Sequence, residues 1–272
     1  MANRQAGAAT QIVESCAGRV AVYFTMCLGC VLWASAAGHA ADVALPTLPP
    51  APPVKTYSTV VFGGMDARSQ SVYGYGGVVY ALNGNLATDG FLLRAMYLYN
   101  PYNYSSPAVV GGNVDGVMNA FDVLVGYQKT FMNVTARAYV GLDFEGHNLT
   151  PDNPFDSNRG DAFGVHVRAE LETAYASLSP FYGSVLASYG SAKERYWVRG
   201  RVGYNFQGFI VGPEGIVTGN PETHDDRVGA FLTIRNPNLT PIEISVAGGY
   251  SNTNLNRGGA GGYGTLELSL AF

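Results

Sequence analysis

The chain has 272 residues, of which 35 are glycine and 18 tyrosine, with only 13% charged and a formal net charge of −4. This is a composition of strands, tight turns and interfacial aromatics rather than of helices rich in Glu, Lys and Leu, and its length fits one large β domain. No basic run occurs anywhere, which excludes nucleic acid as a partner class.

At the start, Arg4 and Arg19 precede an apolar run from Val20 to Ala37, with small residues at Ala34-Ser35-Ala36 and Gly38-His39-Ala40. These parts predict a secretory signal peptide over residues 1–40, cut after Ala36 or Ala40. A retained anchor is the competing reading, but no positive stop-transfer cluster follows the run. Cys16, Cys27 and Cys30 all lie in this segment, so the mature protein is expected to carry no thiol. A lipoprotein signal would use Leu28-Gly29-Cys30, although Cys27 stands where a larger aliphatic residue is usual. Residues 41–56 hold the proline-dense LPTLPPAPP, Leu45 to Pro53, which extends as polyproline II and reads as a periplasmic linker.

From Tyr57 onward apolar and polar residues alternate between turn-like segments. The period of two predicts strands at 57–66, 72–82, 91–100, 116–128, 134–145, 161–174, 181–190, 196–206, 209–218, 227–235, 242–250 and 263–272. About twelve strands, an even number, suit a single closed antiparallel transmembrane β-barrel over 57–272. Long connections at 101–115, 146–160, 219–226 and 251–262, opposed by short ones such as KTFMN and ASLSP, match outer loops and periplasmic turns. The segment NGNLATDG after the second strand is too long for that rule. In the last strand Leu266, Leu268, Leu270 and Phe272 share one face, which is expected to meet lipid while the strand closes the barrel against the first. A soluble sandwich with a buried last strand would show the same alternation. With the leader and the loop pattern, the barrel is the reading taken, and its expected partners are outer-membrane lipid and, during insertion, the barrel-assembly machinery.

The wording of the strands carries a further signal. The segments LNGNLATDGFLLRAMYLYNPYNY (Leu82 to Tyr104), FDVLVGYQ (Phe121 to Gln128), LTPDNP (Leu149 to Pro154), VRGRVGYNF (Val198 to Phe206), VGPEG (Val211 to Gly215) and DRVGAFLT (Asp226 to Thr233) resemble, in this order, the bacterial cellulose biosynthesis protein BcsS family. The resemblance implies an outer-membrane accessory protein associated with cellulose-synthesis genes in alphaproteobacteria. It brings cellulose or the export components of the synthase as partners, and it brings no catalytic residues.

Chemistry-bearing residues fall mostly on the face opposite the lipid. Arg137, Asp143, Glu145, Arg168, Glu170, Glu172, Arg199, Arg201 and Glu214 share the inward parity, as do Arg94, Asp122, Glu243 and Glu267. Trp197 and Tyr139 are inward fillers. Asp143 with Glu145, and Glu170 with Glu172, are carboxylate pairs of the kind glycosidases use. The arginines on the same faces favour a compensated lumen charge network instead. Of the histidines after the leader, His147 and His224 are expected in outer loops and His166 inward, with no nucleophile elbow or HExxH motif. Asp152, Asp156, Asn158 and Asp161 could ligate a hard cation, but they lack the spacing of an EF-hand loop and suit any solvated turn. Tyr97 and Tyr99 read as an interfacial girdle, whereas Tyr102 and Tyr104, beyond the strand end, are candidate glycan contacts. The reading is a non-enzymatic barrel without cofactor or metal, accessory to cellulose synthesis, export or display. The alternatives are a small porin or transport channel and an outer-membrane hydrolase.

Overall fold

A run of alternating residues can satisfy its backbone groups only by pairing with neighbours on both sides, and twelve such runs do so here by closing on themselves. The computed structural model describes residues 56–68, 71–174, 179–206, 208–235, 241–254 and 259–272. The expected signal peptide, its cysteines and all of the linker but Thr56 lie outside the described residues. The strands, in order, are β1 (Thr59–Arg68), β2 (Ser71–Ala81), β3 (Gly90–Ser105), β4 (Asn113–Phe131), β5 (Val134–Thr150), β6 (Gly160–Thr173), β7 (Phe181–Gly190), β8 (Arg195–Asn205), β9 (Phe209–Gly219), β10 (His224–Arg235), β11 (Ile242–Asn254) and β12 (Gly259–Ala271). Each pairs antiparallel with its sequence neighbours, and β12 pairs with β1 to close the barrel.

The closing register sets Met65 against Leu266 and Gly63 against Leu268. At its end the backbone N–H groups of Ser58 and Thr59 donate to the Phe272 carbonyl at 2.8 and 3.0 Å, and the Phe272 N–H donates to the Thr59 carbonyl at 2.9 Å. Leu266, Leu268, Leu270 and Phe272 are exposed on the outer surface. So are Phe121, Val123 and Val125 of β4, Val140 and Leu142 of β5, and Phe163, Val165 and Val167 of β6. A continuous apolar exterior around a ladder without free edges is the arrangement that crosses a bilayer with strands. Tyr97 and Tyr99 belong to this exterior.

Strand ends depart from expectation at one rim. The connection expected at 101–115 contracts to 106–112, because Pro101 pairs with Val117 and Asn103 with Asp115. The one expected at 146–160 contracts to 151–159, since His147 pairs with Met118 and Gly160. Pairing on both sides overrides the turn preference of Asn, Pro and Asp here. His147 is therefore inside β5, and His224 is the first residue of β10 rather than part of a loop. The result is an uneven wall. β2 begins at Ser71 opposite Tyr102, and β7 meets β6 only from His166 onward, so β3 to β6 stand taller than their neighbours.

Close strand contacts depend on missing side chains. A Cβ on Gly212 would lie 1.9 Å from the Val202 carbonyl oxygen and 2.7 Å from the Gly203 Cα, whereas one on Gly215 would meet nothing nearer than 3.9 Å. Gly212→Ala should therefore cost about 1–3 kcal/mol of overpacking and lower the temperature at which the compact band on unheated SDS gels converts to the unfolded one. Gly215→Ala should leave that temperature unchanged.

Candidate functional site

Because the outer face is apolar, most charged residues of the strands are turned into the barrel, where their partners are other residues of the chain; Asp115, Lys129, Asp161 and Asp226 are on the outward parity near strand ends. Near the rim with the termini, Arg137 Nη1 lies 3.4 Å from both Glu170 and Glu172, and Arg168 Nε donates to Glu170 at 2.6 Å. Glu172 also accepts from Arg235 Nη2 at 2.7 Å, a bridge from β6 to β10, and Arg235 binds Glu243 as well. In the next group Arg201 Nε donates to Glu214 at 2.6 Å, and Glu267 takes Arg199 at 2.6 Å and Arg201 at 3.0 Å, linking β8 to β12 across the lumen. Arg94 donates to Asp122 at 2.8 Å in the middle of the β3 and β4 wall, and His166 Nδ1 stands 3.5 Å from the same carboxylate.

Asp143 and Glu145 meet a partner that the sequence reading did not include. Arg195 Nε donates to Glu145 at 2.8 Å and its Nη2 lies 3.8 Å from Asp143. Also missed was the cluster around Arg227, whose side chain is fully buried. It donates to Asp66 and to Asp225 at 2.6 Å each, and Arg68 donates to Asp225 at 2.6 Å. All nine residues of the expected network face the lumen, but in separate groups completed by Arg68, Asp66, Arg195, Asp225, Arg227 and Arg235. Asp66, Arg227 and Arg235 have inward parity within the expected strands, and parity continued to the true strand ends adds Arg68, Arg195 and Asp225. Their pairing across the barrel has no local sequence signal.

At the level of Arg227 the lumen is crossed by rings. Tyr73 on β2 and Trp197 on β8, opposite one another in the barrel order, meet edge to face at 6.0 Å, packed with Leu98, Met118 and Ala120. The Arg227 guanidinium lies 5.6 Å from the Trp197 ring and 5.5 Å from that of Tyr263. Such contacts hold both the cation and the rings in place.

Above this level the tall wall folds over. Tyr102 and Tyr104 point inward from β3 instead of standing in an open loop. The Tyr102 hydroxyl is 2.8 Å from His147 Nδ1, and His147 Nε2 is 2.9 Å from Glu145. Tyr104 is buried and donates to Asp156 at 2.5 Å, while Asn153 donates to the Tyr104 hydroxyl oxygen at 3.0 Å. The 151–159 connection, which carries these partners, also reaches the far side. Ser157 donates to Glu222 through both its N–H and its hydroxyl, and Asn220 donates to Asn158 at 3.3 Å. Within it Asp152 pairs with Arg159. Among the described residues no group of three or more His, Cys, Asp or Glu side chains is arranged to hold a metal ion. His224 lies between Tyr196 at 2.5 Å and Asp226 at 3.1 Å.

A cavity of about 550 Å³ lies in the barrel. Its lining starts at Tyr57, Pro241 and Ala271 on the terminal rim, passes Asp66, Tyr73 and Trp197, and reaches Gly190 and Arg195 at the outer ends of β7 and β8. The 82–89 connection narrows the entrance. Leu86 N–H donates to the Tyr57 carbonyl at 2.8 Å, and the buried Gln128 amide donates to the carbonyls of Leu86 and Thr88 at 2.7 and 2.5 Å. The extra length of NGNLATDG is thus used to lay a segment inward from the rim.

Several solved structures are similar to this chain. The COG4313 outer membrane channel from Pseudomonas putida F1 matches with a TM-score of 0.50 and 13% identity, covering 84% of this chain and 100% of that one. LpxR from Salmonella typhimurium gives 0.47 and 10% over 79% of this chain and 100% of that one. The KdgM porin gives 0.44 and 11% over 78% of this chain and 99% of that one. At these identities the likeness is one of fold. No curated protein sequence matches the chain. The family model for the cellulose biosynthesis protein BcsS matches residues 60–272, the whole barrel apart from the first residue of β1, and the chain belongs to that family.

Proposed function

We propose that this protein is a non-enzymatic outer-membrane accessory to cellulose production, acting as an occluded barrel rather than as the bore through which the polymer leaves. Membership of the family supports the process. The observation that carries the occluded reading is the set of contacts spanning the lumen, from Glu172 and Arg235 near one rim to Tyr73, Trp197 and the Arg227 cluster near the other. An extended glucan would have to break several buried ion pairs at once, and separating even one such pair costs about 3–5 kcal/mol. The two carboxylate pairs considered for acid–base chemistry are each bound by guanidinium groups, as suits a structural role. In this reading the signal peptide is removed and the linker lies in the periplasm, so the terminal rim faces the periplasm and the 151–159 connection faces outward.

Two outcomes follow. Purified protein in planar bilayers should show small or intermittent conductance, and the Trp197→Ala, Arg227→Ala double variant should conduct several-fold more. A large steady ohmic current from the unaltered protein would favour the transport-channel alternative. In cells, deletion should change cellulose yield, fibre attachment or biofilm texture with normal growth in liquid, as read by dye binding and crystalline-cellulose assays. An unchanged phenotype under cellulose-inducing conditions would remove the link to that process.

A further inference from the structure

Among the described residues, buried polar atoms without a hydrogen-bond partner occur on nine side chains, of which Asp66, Tyr73, His166, Arg201 and Thr265 line the cavity. Three of them form one row across neighbouring strands, since Asp66 of β1 pairs in register with Tyr73 of β2 on one side and Thr265 of β12 on the other. Asp66, Tyr73 and Arg201 are 2%, 7% and 5% exposed. A buried polar atom without a partner is costly, and a cluster of them around one space points to something that satisfies them there.

We propose that this cavity binds a short neutral saccharide beside Asp66, Tyr73 and Thr265. The chemistry of the leftover atoms selects the ligand. A carboxylate oxygen only accepts, a guanidinium nitrogen only donates, and two hydroxyls do either, so the set suits a ligand that offers both along its edge. The formal charges nearby are already engaged, Asp66 by Arg227 and Arg201 by Glu214 and Glu267, so an anion or a cation would have to compete with an internal partner. Trp197 and Tyr75 line the same cavity and present ring surface to the apolar face of a sugar. The volume, about 550 Å³, falls among sites for small molecules and is too small for a long chain.

The pocket stands on this geometry; only the choice of a β-linked glucose disaccharide as probe rests on the reading above. Of the chain's two tryptophans, Trp33 lies in the expected signal peptide, so in the processed protein the fluorescence reports on Trp197. Purified protein in a detergent without a sugar headgroup is titrated with cellobiose, maltose and glucuronate. Cellobiose should give a saturable change. Tyr73→Phe should weaken it about tenfold, the worth of one hydrogen bond, while the folded band melts no lower, because the hydroxyl removed has no partner within the protein. Thr265→Val should act in the same direction. Equal binding of maltose would support the saccharide pocket and count against the cellulose reading. The proposal is overturned if neither neutral sugar saturates, if glucuronate binds more tightly than cellobiose, or if Tyr73→Phe leaves the affinity unaltered.

Discussion

Everything in this barrel depends on one electrostatic constraint: the side chains that cannot face lipid must neutralise one another in the interior. Alternation places apolar residues outside on every strand, and it thereby commits the arginines and carboxylates to a lumen in which an unmatched charge is expensive. Pairing within one wall, as between Arg94 and Asp122, meets part of that need. The rest is met across the barrel, where Glu267 on β12 holds two arginines of β8 and Arg227 on β10 holds Asp66 of β1. Guanidinium groups suit this work because their planar forks bind two carboxylates at once and still lie against rings. A lumen spanned by such pairs is drawn to the width of its side chains.

The same need explains the shape of the outer end. β3 to β6 outgrow their neighbours, and the inward face of the extension carries Tyr102, Tyr104 and His147, whose polar atoms would otherwise stand at an open mouth. The 151–159 connection closes over them and takes bonds from β3 on one side and from the 220–223 connection opposite. At the terminal rim the 82–89 segment is held by Gln128. Each closure is thus a short connection pinned by polar side chains to strands, a means of covering a lumen that needs no separate plug domain.

Face assignment was legible in the sequence because it follows from a period of two: Leu266, Leu268 and Leu270 outward, and Glu267 inward between them, can be read from the residues alone. The barrel's closure and its strand number were legible for the same reason. The height of the wall was not. Pro101, Asn103 and Asp115 have the composition of a turn, and only partners on the facing strand keep them in the ladder. Tyr102 and Tyr104 were consequently placed beyond a strand end when they continue its inward face. The pairing of charges was beyond reach for a different reason. Arg227 and Asp66 are separated by 161 residues, and which carboxylate a given arginine meets depends on tilt and register around the whole ring.

What distinguishes a functional position in such an interior is therefore the absence of a match more than the presence of charge. Most of the arginines and acids that attract attention in the sequence are accounted for by each other, and their arrangement serves closure and solvation. Among the exceptions, Thr265, Asp66 and Tyr73 stand side by side on β12, β1 and β2, with Arg201 and His166 lining the same cavity. Two of the row of three are uncharged hydroxyls that no charge-based reading would select. A row of unpartnered atoms on adjoining strands at one cavity is the arrangement expected where a ligand rather than the chain supplies the missing partners.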